Sequence, residues 1–439
     1  MKVARVLRRL GALRSLGPLR RLGVLAAVVG ALCAGAPPVS ADEATVPTFT
    51  EEQLFDRWLK NSAEVAAWKS QITSAKWDVI TARTLPNPEL QLTVNQLLDG
   101  VPPDSKTGYQ AQLTWPLPIF GQVGARAAAA EARVSVAETQ AIATLWQRAA
   151  DIQSAMVDTA FADARVTMLE RNLAELDRLQ GIITKRAAVG SNSTYDVLRV
   201  TTSATTVRAA LTTALTDRAE SESRLLALMA EPTLGRVHIT RAGLAAFRGP
   251  LDEKALVKAA LERRPDLELA RRSSLALAKE VESQRKGAIP TPSLVAGGYV
   301  VAGPYGLQVT GGISVPLPFF DRNRGQIGRA IADAQTNDLL AKALEARIKN
   351  EVEGSWRARE AARSALEQYR TASLPAAAEL LSRAEVTYQA GTFSIAELFD
   401  AYRTTWDARL QELQLEEQMA EAEITLERAA VLIPLGPMK

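Results

Sequence analysis

The chain has one histidine, His238, and one cysteine, Cys33, in 439 residues. That scarcity removes the usual general base and the usual thiol nucleophile. It also rules out a disulfide scaffold and any zinc site built on Cys and His. A His-based triad would have to rest on His238 alone. His238 lies in the run Arg236-Val237-His238-Ile239-Thr240 with no cysteine or acidic cluster beside it, so no metal role is expected there. No HExxH pair, Gly-rich phosphate loop or Ser-nucleophile elbow occurs. The chemistry-bearing residues therefore describe no enzyme, and neither a cofactor nor a resident metal is expected.

The charges are unevenly placed. Residues 1–21 carry Lys2, Arg5, Arg8, Arg9, Arg14, Arg20 and Arg21 and no acid; an apolar run Leu22–Leu32 and the triplet Val39-Ser40-Ala41 follow. This is the pattern of a secretory signal over 1–41, with cleavage after Ala41. A membrane anchor is the weaker reading, because the apolar run falls short of the ~20 residues a span needs. A lipoprotein acylated at Cys33 is another, set against it by Leu32, where a small residue belongs. Without 1–41 the basic count falls from 52 to 45 against 49 acids, a net charge of −4. The whole-chain pI of about 8.9 then comes from the leader and implies no nucleic-acid partner.

Apolar residues make up 47 % and aromatics 5 %, a globular composition suited to extended helices. Four short segments recur in one order. Residues 85–90 (LPNPEL) match 289–294 (IPTPSL), 115–120 (WPLPIF) match 315–320 (VPLPFF), and 121–124 (GQVG) match 325–328 (GQIG). Residues 189–198 (VGSNSTYDVL) match 390–399 (AGTFSIAELF). The offsets are 204, 200, 204 and 201, so the chain is a tandem duplication. The expected repeats are 42–232 and 251–439, joined by a connector at 233–250.

Each repeat should begin with a helical segment, Glu51–Thr84 or Leu251–Lys286, and continue through two extended stretches to Pro-Leu-Pro. A long helix follows, over 122–188 or over 326–374 before Pro375. A turn near Gly190 or Gly391 precedes a return helix over 194–230 or 395–432. The first long helix would run about 100 Å at ~1.5 Å per residue, which implies coiled-coil packing. Leu340, Leu344, Ile348, Val352 and Trp356 recur every four residues and are expected to form one helix–helix core face. Pro86 and Pro290 before the strands, and Pro116, Pro118, Pro316 and Pro318 after them, should fix the passages between sheet and helix through their locked φ. Arg322 and Arg324, beside Asp321 and Asn323, lie in a four-residue insertion relative to the first repeat. They read as a turn from sheet to helix, with Gly325 opening the helix.

The extended stretches alternate. Leu90, Leu92 and Val94 alternate with Gln91, Thr93 and Asn95; Tyr109, Ala111, Leu113 and Trp115 with Gln110, Gln112 and Thr114; Leu307, Val309, Gly311, Ile313 and Val315 with Gln308, Thr310, Gly312 and Ser314. Residues 293–301 alternate poorly. Period two gives one apolar and one polar face. A soluble sandwich would show the same pattern. The signal sequence, the strand length and the terminal Trp115 favour an outer-membrane barrel. Four strands cannot close one, and an open edge in lipid would leave backbone groups unpaired. The chain must therefore share its barrel with copies of itself; two copies give a nearly filled lumen, and three give room for a channel. The loops 98–108 and 302–306 would face outward.

The duplicated order of helix, Pro pair, strand hairpin, Pro-Leu-Pro-Phe, long helix, Gly turn and return helix resembles the TolC-like outer-membrane efflux factors, over about 50–432. Residues 314–330 (SVPLPFFDRNRGQIGRA) and 262–267 (ERRPDL) are most similar to its cobalt–zinc–cadmium heavy-metal resistance branch. The resemblance implies a mainly α fold with a membrane β part: four strands per chain contributing to a 12-stranded barrel in a homotrimer, and a coiled-coil α-helical periplasmic tunnel. It implies a passive exit duct in the outer membrane of a Gram-negative bacterium, docked to a periplasmic adaptor and an inner-membrane resistance–nodulation–division pump. Divalent heavy-metal cations are the expected cargo. A drug or small-organic duct of the same family is the alternative, and a secreted coiled-coil structural protein a more distant one.

The resemblance also assigns sites. Val189, Gly190, Ser193 and Asp196, with Ala390, Gly391, Thr392 and Ser394, fall on the two periplasmic tip turns that would meet the adaptor. Glu397 and Asp400 fall on the carboxylates that ring the closed periplasmic aperture. They are three apart on one helix face, and three chains would bring six carboxylates together. A solvated helix face is the plainer reading of that pair. Phe393 stands where drug-exporting relatives carry a basic residue.

Overall fold

The computed structural model describes residues 47–96, 98–99, 107–188, 194–231, 233–239, 241, 244, 251–301 and 306–432. The expected signal sequence, Cys33, and most of the loops 98–108 and 302–306 lie outside them. The elements in chain order are α1 (Glu51–Asn61), α2 (Ala63–Arg83), β1 (Glu89–Gln96), β2 (Thr107–Pro116), α3 (Gln122–Ala188) and α4 (Thr194–Met229). The same order then repeats as α5 (Glu253–Arg263), α6 (Pro265–Gly287), β3 (Ser293–Val301), β4 (Leu307–Ser314), α7 (Arg324–Gln368), α8 (Leu374–Gln389) and α9 (Ile395–Ala430). A π-helical segment, Tyr369–Ser373, joins α7 to α8.

The duplication reappears in the cores. Leu54, Trp58, Leu145, Ala149, Leu225 and Met229 pack together in the first repeat. Leu256, Ala260, Ile348, Val352, Leu426 and Ala430 pack together in the second, each 201 to 203 positions after its counterpart. Each fully buried aliphatic side chain there contributes about 2 kcal/mol by leaving water. The antiparallel course of α3 and α4 is marked by Arg208–Asp177, Arg218–Asp163 and Arg224–Asp158, at 2.7, 3.6 and 3.1 Å. These exposed pairs define register more than they add stability. Between repeats, Val157 and Phe161 of α3 pack on Leu413, Ala420 and Ile424 of α9.

Four expectations need correction. The lead-in segments are not single helices. Each breaks after eleven residues, at Ser62 and Arg264, both extended. Pro265 forces the second break, because a residue before proline is pushed out of the α region. The first break frees the Ala63 amide to donate to the Ala230 carbonyl at 3.2 Å. Arg264 is buried at the break. It donates to Asp266 at 2.8 Å and Glu351 at 2.9 Å and lies over the Trp146 ring.

The second correction concerns Pro375. The chain stays helical through it to Gln389, because the preceding turn widens to π. Proline lacks the N–H and crowds the carbonyl four residues back, and a π turn relieves both demands. Third, Leu340 is 64 % exposed while Ile348 and Val352 are fully buried. A four-residue step overshoots the 3.6-residue turn by about 40°, so the apolar stripe walks around the helix and leaves the core. Fourth, α7 is opened by Asn323, not Gly325. Asn323 adopts φ 57° immediately before Arg324, while Gly325 is an ordinary first-turn residue.

The four strands form one antiparallel sheet in the order β1-β2-β3-β4. Register places Leu92 opposite Ala111, Ala111 opposite Gly298, and Gly298 opposite Val309. The poorly alternating β3 therefore still sends Leu294, Ala296, Gly298 and Val300 to the same side as its neighbours' apolar residues. Its other face carries Val295, Gly297 and Tyr299.

Candidate functional site

Three places carry the chemistry: the sheet, its passage into the helices, and the turn between α8 and α9. Across the sheet, one face is apolar from Trp115 to Tyr109 and open to its surroundings, with Leu92 72 % and Val309 81 % exposed; Gln96 and Thr107 make its polar margin at the loop end. The other face carries glutamine, threonine and asparagine. There Gln110 donates to Gln112, and Gln112 to Thr114, both at 3.4 Å. Tyr299 lies over Gly108, where an added Cβ would meet its hydroxyl at 2.7 Å. Gly297 is tighter, since a Cβ there would meet the Ala111 carbonyl at 2.9 Å. On the apolar face, Tyr109 stands near the loop end and Trp115 near the helix end, about 20 Å apart at strand rise. Trp115 donates through its indole to the Pro86 carbonyl at 3.1 Å. Aromatics at both edges of an apolar band are the girdles of a membrane-embedded sheet. No helix among the described residues is long and apolar enough to cross a membrane.

The prolines make the passage out of the strands. Pro116 ends β2, and Leu117 donates to the Pro292 carbonyl at 2.7 Å, extending the pairing by one bond. Ile119 then donates to the Leu117 carbonyl at 2.8 Å, and Phe319 to Leu317 at 2.9 Å. Each is a three-residue turn centred on a proline, Pro118 or Pro318, whose fixed φ suits the inverse γ conformation. Pro86, Pro290 and Pro316 flank the strands in chain that is neither helix nor strand. After the turns, Gly121 (φ 83°) and Asn323 (φ 57°) supply the left-handed residue that redirects the chain into α3 and α7. Asparagine visits that conformation more readily than other non-glycine residues, and here Asn323 Nδ2 is held from α6 by donating to the Gln284 carbonyl at 2.8 Å.

The α8–α9 turn is built by Gly391. Its φ of 78° ends α8, and the Thr387 carbonyl accepts from Thr392 N at 3.2 Å and Phe393 N at 3.3 Å. Ala390 remains helical as the cap of α8. Ser394 then opens α9 with a capping box. Glu397 accepts from Ser394 N at 2.7 Å and Ser394 Oγ at 2.8 Å. The Ser394 amide, and next its hydroxyl, hold the Glu397 carboxyl below the usual glutamate range. The matching turn of the first repeat, with Val189, Gly190 and Ser193, lies outside the described residues, as does the side chain of Asp196.

Glu397 and Asp400 are both exposed but differently engaged. Asp400 is ion-paired with Arg199 of α4, and the same guanidinium lies over the Phe399 ring, 5.5 Å from its centroid. Arg199 is the residue that reading the sequence missed. Extending the match of 189–198 with 390–399 by one position pairs it with Asp400. Behind this pair, Leu176, Ile183, Val200, Ala204, Ala384 and Leu398 draw the α3–α4 and α8–α9 hairpins into one cluster. Tyr402 of α9 donates to Glu385 of α8 at 2.7 Å; burial, reinforced by that bond, pushes its hydroxyl up to about 12. A groove of about 700 Å³ runs beside Arg199, lined by Leu198, Tyr195, Phe399 and Trp406. Among the described residues, no three His, Cys, Asp or Glu side chains gather as metal ligands.

Comparison with known proteins accords with this geometry. Residues 54–231 and 256–430 match the family described as outer membrane efflux protein. The chain is 26 % identical to the cobalt-zinc-cadmium resistance protein CzcC of Cupriavidus metallidurans over 420 residues, 89 % of this chain and 92 % of CzcC. Its fold resembles CusC, a transmembrane channel, with TM-score 0.70 at 17 % identity, covering 87 % of this chain and 93 % of CusC. It also resembles the open state of the Neisseria gonorrhoeae MtrE outer membrane channel, with TM-score 0.70 at 16 % identity, covering 87 % and 88 %.

Proposed function

Because the chain belongs to the outer membrane efflux protein family, we propose that it is the passive exit duct of a tripartite efflux assembly. Three copies form the duct, and a periplasmic adaptor and an inner-membrane resistance–nodulation–division pump feed it. The observation that carries this reading is the sheet: one face apolar and exposed, with β1 and β4 as its two outer strands. In hydrocarbon both edges must be paired, and only neighbouring copies can pair them. Three chains supply twelve strands, wide enough for a wet lumen lined by Gln110, Gln112 and Thr310. The helices then form the periplasmic conduit. The repeats 42–232 and 251–439, joined by the 233–250 connector in the equatorial region, supply its walls.

The cargo we propose is divalent heavy-metal cations, on the likeness to a cobalt-zinc-cadmium resistance protein. The α8–α9 turn is the periplasmic tip, where Ala390, Gly391, Thr392 and Ser394 meet the adaptor together with the 189–193 turn. Glu397 and Asp400 face the entrance. Arg199 offsets half of their charge, so the entrance is mildly rather than strongly negative. A conduit of this kind holds ions weakly, since tight binding would arrest flow.

Native mass spectrometry of detergent-extracted protein tests the assembly: three copies are expected, and a stable monomer would refute the barrel. Expression in a strain lacking its own duct should restore cobalt, zinc or cadmium tolerance when the cognate pump and adaptor are present. Restored tolerance to organic toxicants alone would move the cargo to that class.

A further inference from the structure

The apolar face of β4 does not stop where the strand stops. Leu307, Val309 and Ile313 on that face are followed by the exposed Val315, Leu317 and Phe319, and Phe319 is 73 % exposed. Phe320 beside it is fully exposed. The apolar surface therefore runs past the last strand pairing into the junction with α7.

The four-residue insertion Asp321–Arg324 begins immediately after it. The first repeat has no counterpart, because Phe120 there runs directly into Gly121 and the next basic residue is Arg126. The insertion is anchored. Asn323 N donates to Asp321 Oδ1 at 2.8 Å, and Asn323 Nδ2 donates to the Gln284 carbonyl at 2.8 Å and to Gln284 Oε1 at 3.2 Å. That clamp uses Asp321 for the backbone, while Glu280 of α6 is taken up by Gln284 and Arg133. It leaves Arg322 and Arg324 exposed on either side of the anchored residue. Neither arginine makes an ion pair among the described residues; Arg322 Nε donates only to the Pro318 carbonyl, at 3.3 Å. The neighbouring last turn of α6 adds Arg285 and Lys286.

We propose that this junction is a binding site for anionic phospholipid of the periplasmic leaflet, one per chain and confined to the second repeat. The proposal rests on the reading of the sheet as part of an outer-membrane barrel. The chemistry is that of an interfacial anchor. Phe319 and Phe320 enter the acyl–headgroup boundary as a continuation of the lipid-facing strand, while Arg322 and Arg324 meet the phosphate. Guanidinium groups are suited to this because their planar donor fork matches phosphate oxygens. The side of the membrane follows from the helices, since the junction opens directly into α7. Clamping by Asn323 fixes the backbone that carries the arginines, so only their side chains remain to be ordered on binding.

The test is native mass spectrometry of the full-length assembly in micelles titrated with phosphatidylglycerol or phosphatidylethanolamine. Wild type should retain phosphatidylglycerol in preference to phosphatidylethanolamine. The double variant Arg322→Gln/Arg324→Gln should lose about fivefold or more of that retention, with the oligomer intact. Arg329→Gln, one turn into α7 and facing Asp333 at 3.8 Å, should retain lipid as wild type does. Equal retention of the two lipids, or unchanged retention in the double variant, overturns the proposal. Phe319→Ser/Phe320→Ser should lower retention of both lipids. If it instead splits the oligomer without changing lipid retention, the aromatics are a contact between copies and the proposal fails. Failure of the barrel reading looks different, because wild type would then be monomeric and retain neither lipid.

Discussion

Arg199 and Asp400 occupy equivalent positions in the two repeats, 201 residues apart, and they are ion-paired with each other. The duplication thus brings the same place on two return helices together, once with a cation and once with an anion. Around the pair the neighbours are equivalent too: Val200 with Ala401, and Val197 with Leu398, all in one cluster. The charge of Asp400 is therefore governed by its partner in the other repeat, not only by its own helix face.

Asp400→Asn and Arg199→Gln should consequently act in opposite directions. The first removes an anion and leaves Arg199 uncompensated; the second exposes Asp400. In planar bilayers, Asp400→Asn should lower cation selectivity and weaken block by added divalent cations, and Arg199→Gln should strengthen both. Glu397→Gln should give a smaller loss and keep α9 capped, because glutamine also closes a capping box. Salt should diminish all three effects. Unchanged selectivity in every variant, with normal assembly, would make these residues a solvated face.

The strands, the long helices and the Gly391 turn were legible from period, length and composition, because each reflects local chain physics. Pairwise choices between distant segments were not. Arg264 reads as one of many surface arginines, and only the packed structure shows its guanidinium buried against Trp146, Asp266 and Glu351. Pro375 reads as a helix stop, yet tertiary packing on both sides makes a π turn cheaper than a break. Leu340 shows the limit of a four-residue stripe on a 3.6-residue helix. Glu397 was singled out by family likeness, whereas its capping role was written in the Ser394-x-x-Glu397 spacing itself.

The α8–α9 turn should be fragile at two named positions. Gly391→Ala places a side chain at φ 78° and should cost about 1 kcal/mol. Ser394→Ala removes the reciprocal bonds to Glu397. Both should speed hydrogen exchange across 390–400, read by mass spectrometry, without affecting the sheet. Glu397 adds a pH dependence. Its carboxyl is held below its ordinary value chiefly by the Ser394 amide, so the cap's contribution is present above the unfolded glutamate pKa. It is lost as pH falls through the lowered folded value. Protection of this turn, corrected for intrinsic rates, should drop there in wild type and stay flat in Ser394→Ala.

Glu231 fastens the end of α4 to α1. Its buried carboxylate accepts from Arg57 at 2.7 and 2.8 Å, from Asn61 at 3.2 Å and from Thr233 at 2.8 Å. The bonds from Arg57 are the largest cause holding its carboxyl below the usual range. Breaking a buried pair costs roughly 3–5 kcal/mol; Arg57 is about one-third exposed, so Glu231→Gln should cost nearer ~2 kcal/mol. The melting midpoint of the detergent-solubilised assembly should fall at pH 7. The difference from wild type should narrow as pH drops through the lowered folded pKa, where wild type loses the same charge. A difference that persists at low pH would assign the loss to packing.

The face assignment of the sheet makes the sharpest demand. Val309 and Thr310 are adjacent on β4, one on the apolar face and one on the polar face. Both are exposed in a single chain, Val309 at 81 %, so simple burial gives no reason to protect either. In a bilayer the two differ. Val309 sits mid-strand, where an arginine facing lipid costs about 2–4 kcal/mol. At Thr310 the arginine would reach a wet lumen, opposite the side-chain-free Gly297, and cost little. Val309→Arg should therefore reduce the yield of heat-modifiable oligomer in the outer membrane, while Thr310→Arg should assemble normally and change conductance. If the two variants assemble equally well, the apolar face does not meet lipid, and the strands belong to a soluble sheet whose partner covers that face. If Thr310→Arg is the damaging one, the faces are inverted, and Leu92 and Val309 line the interior.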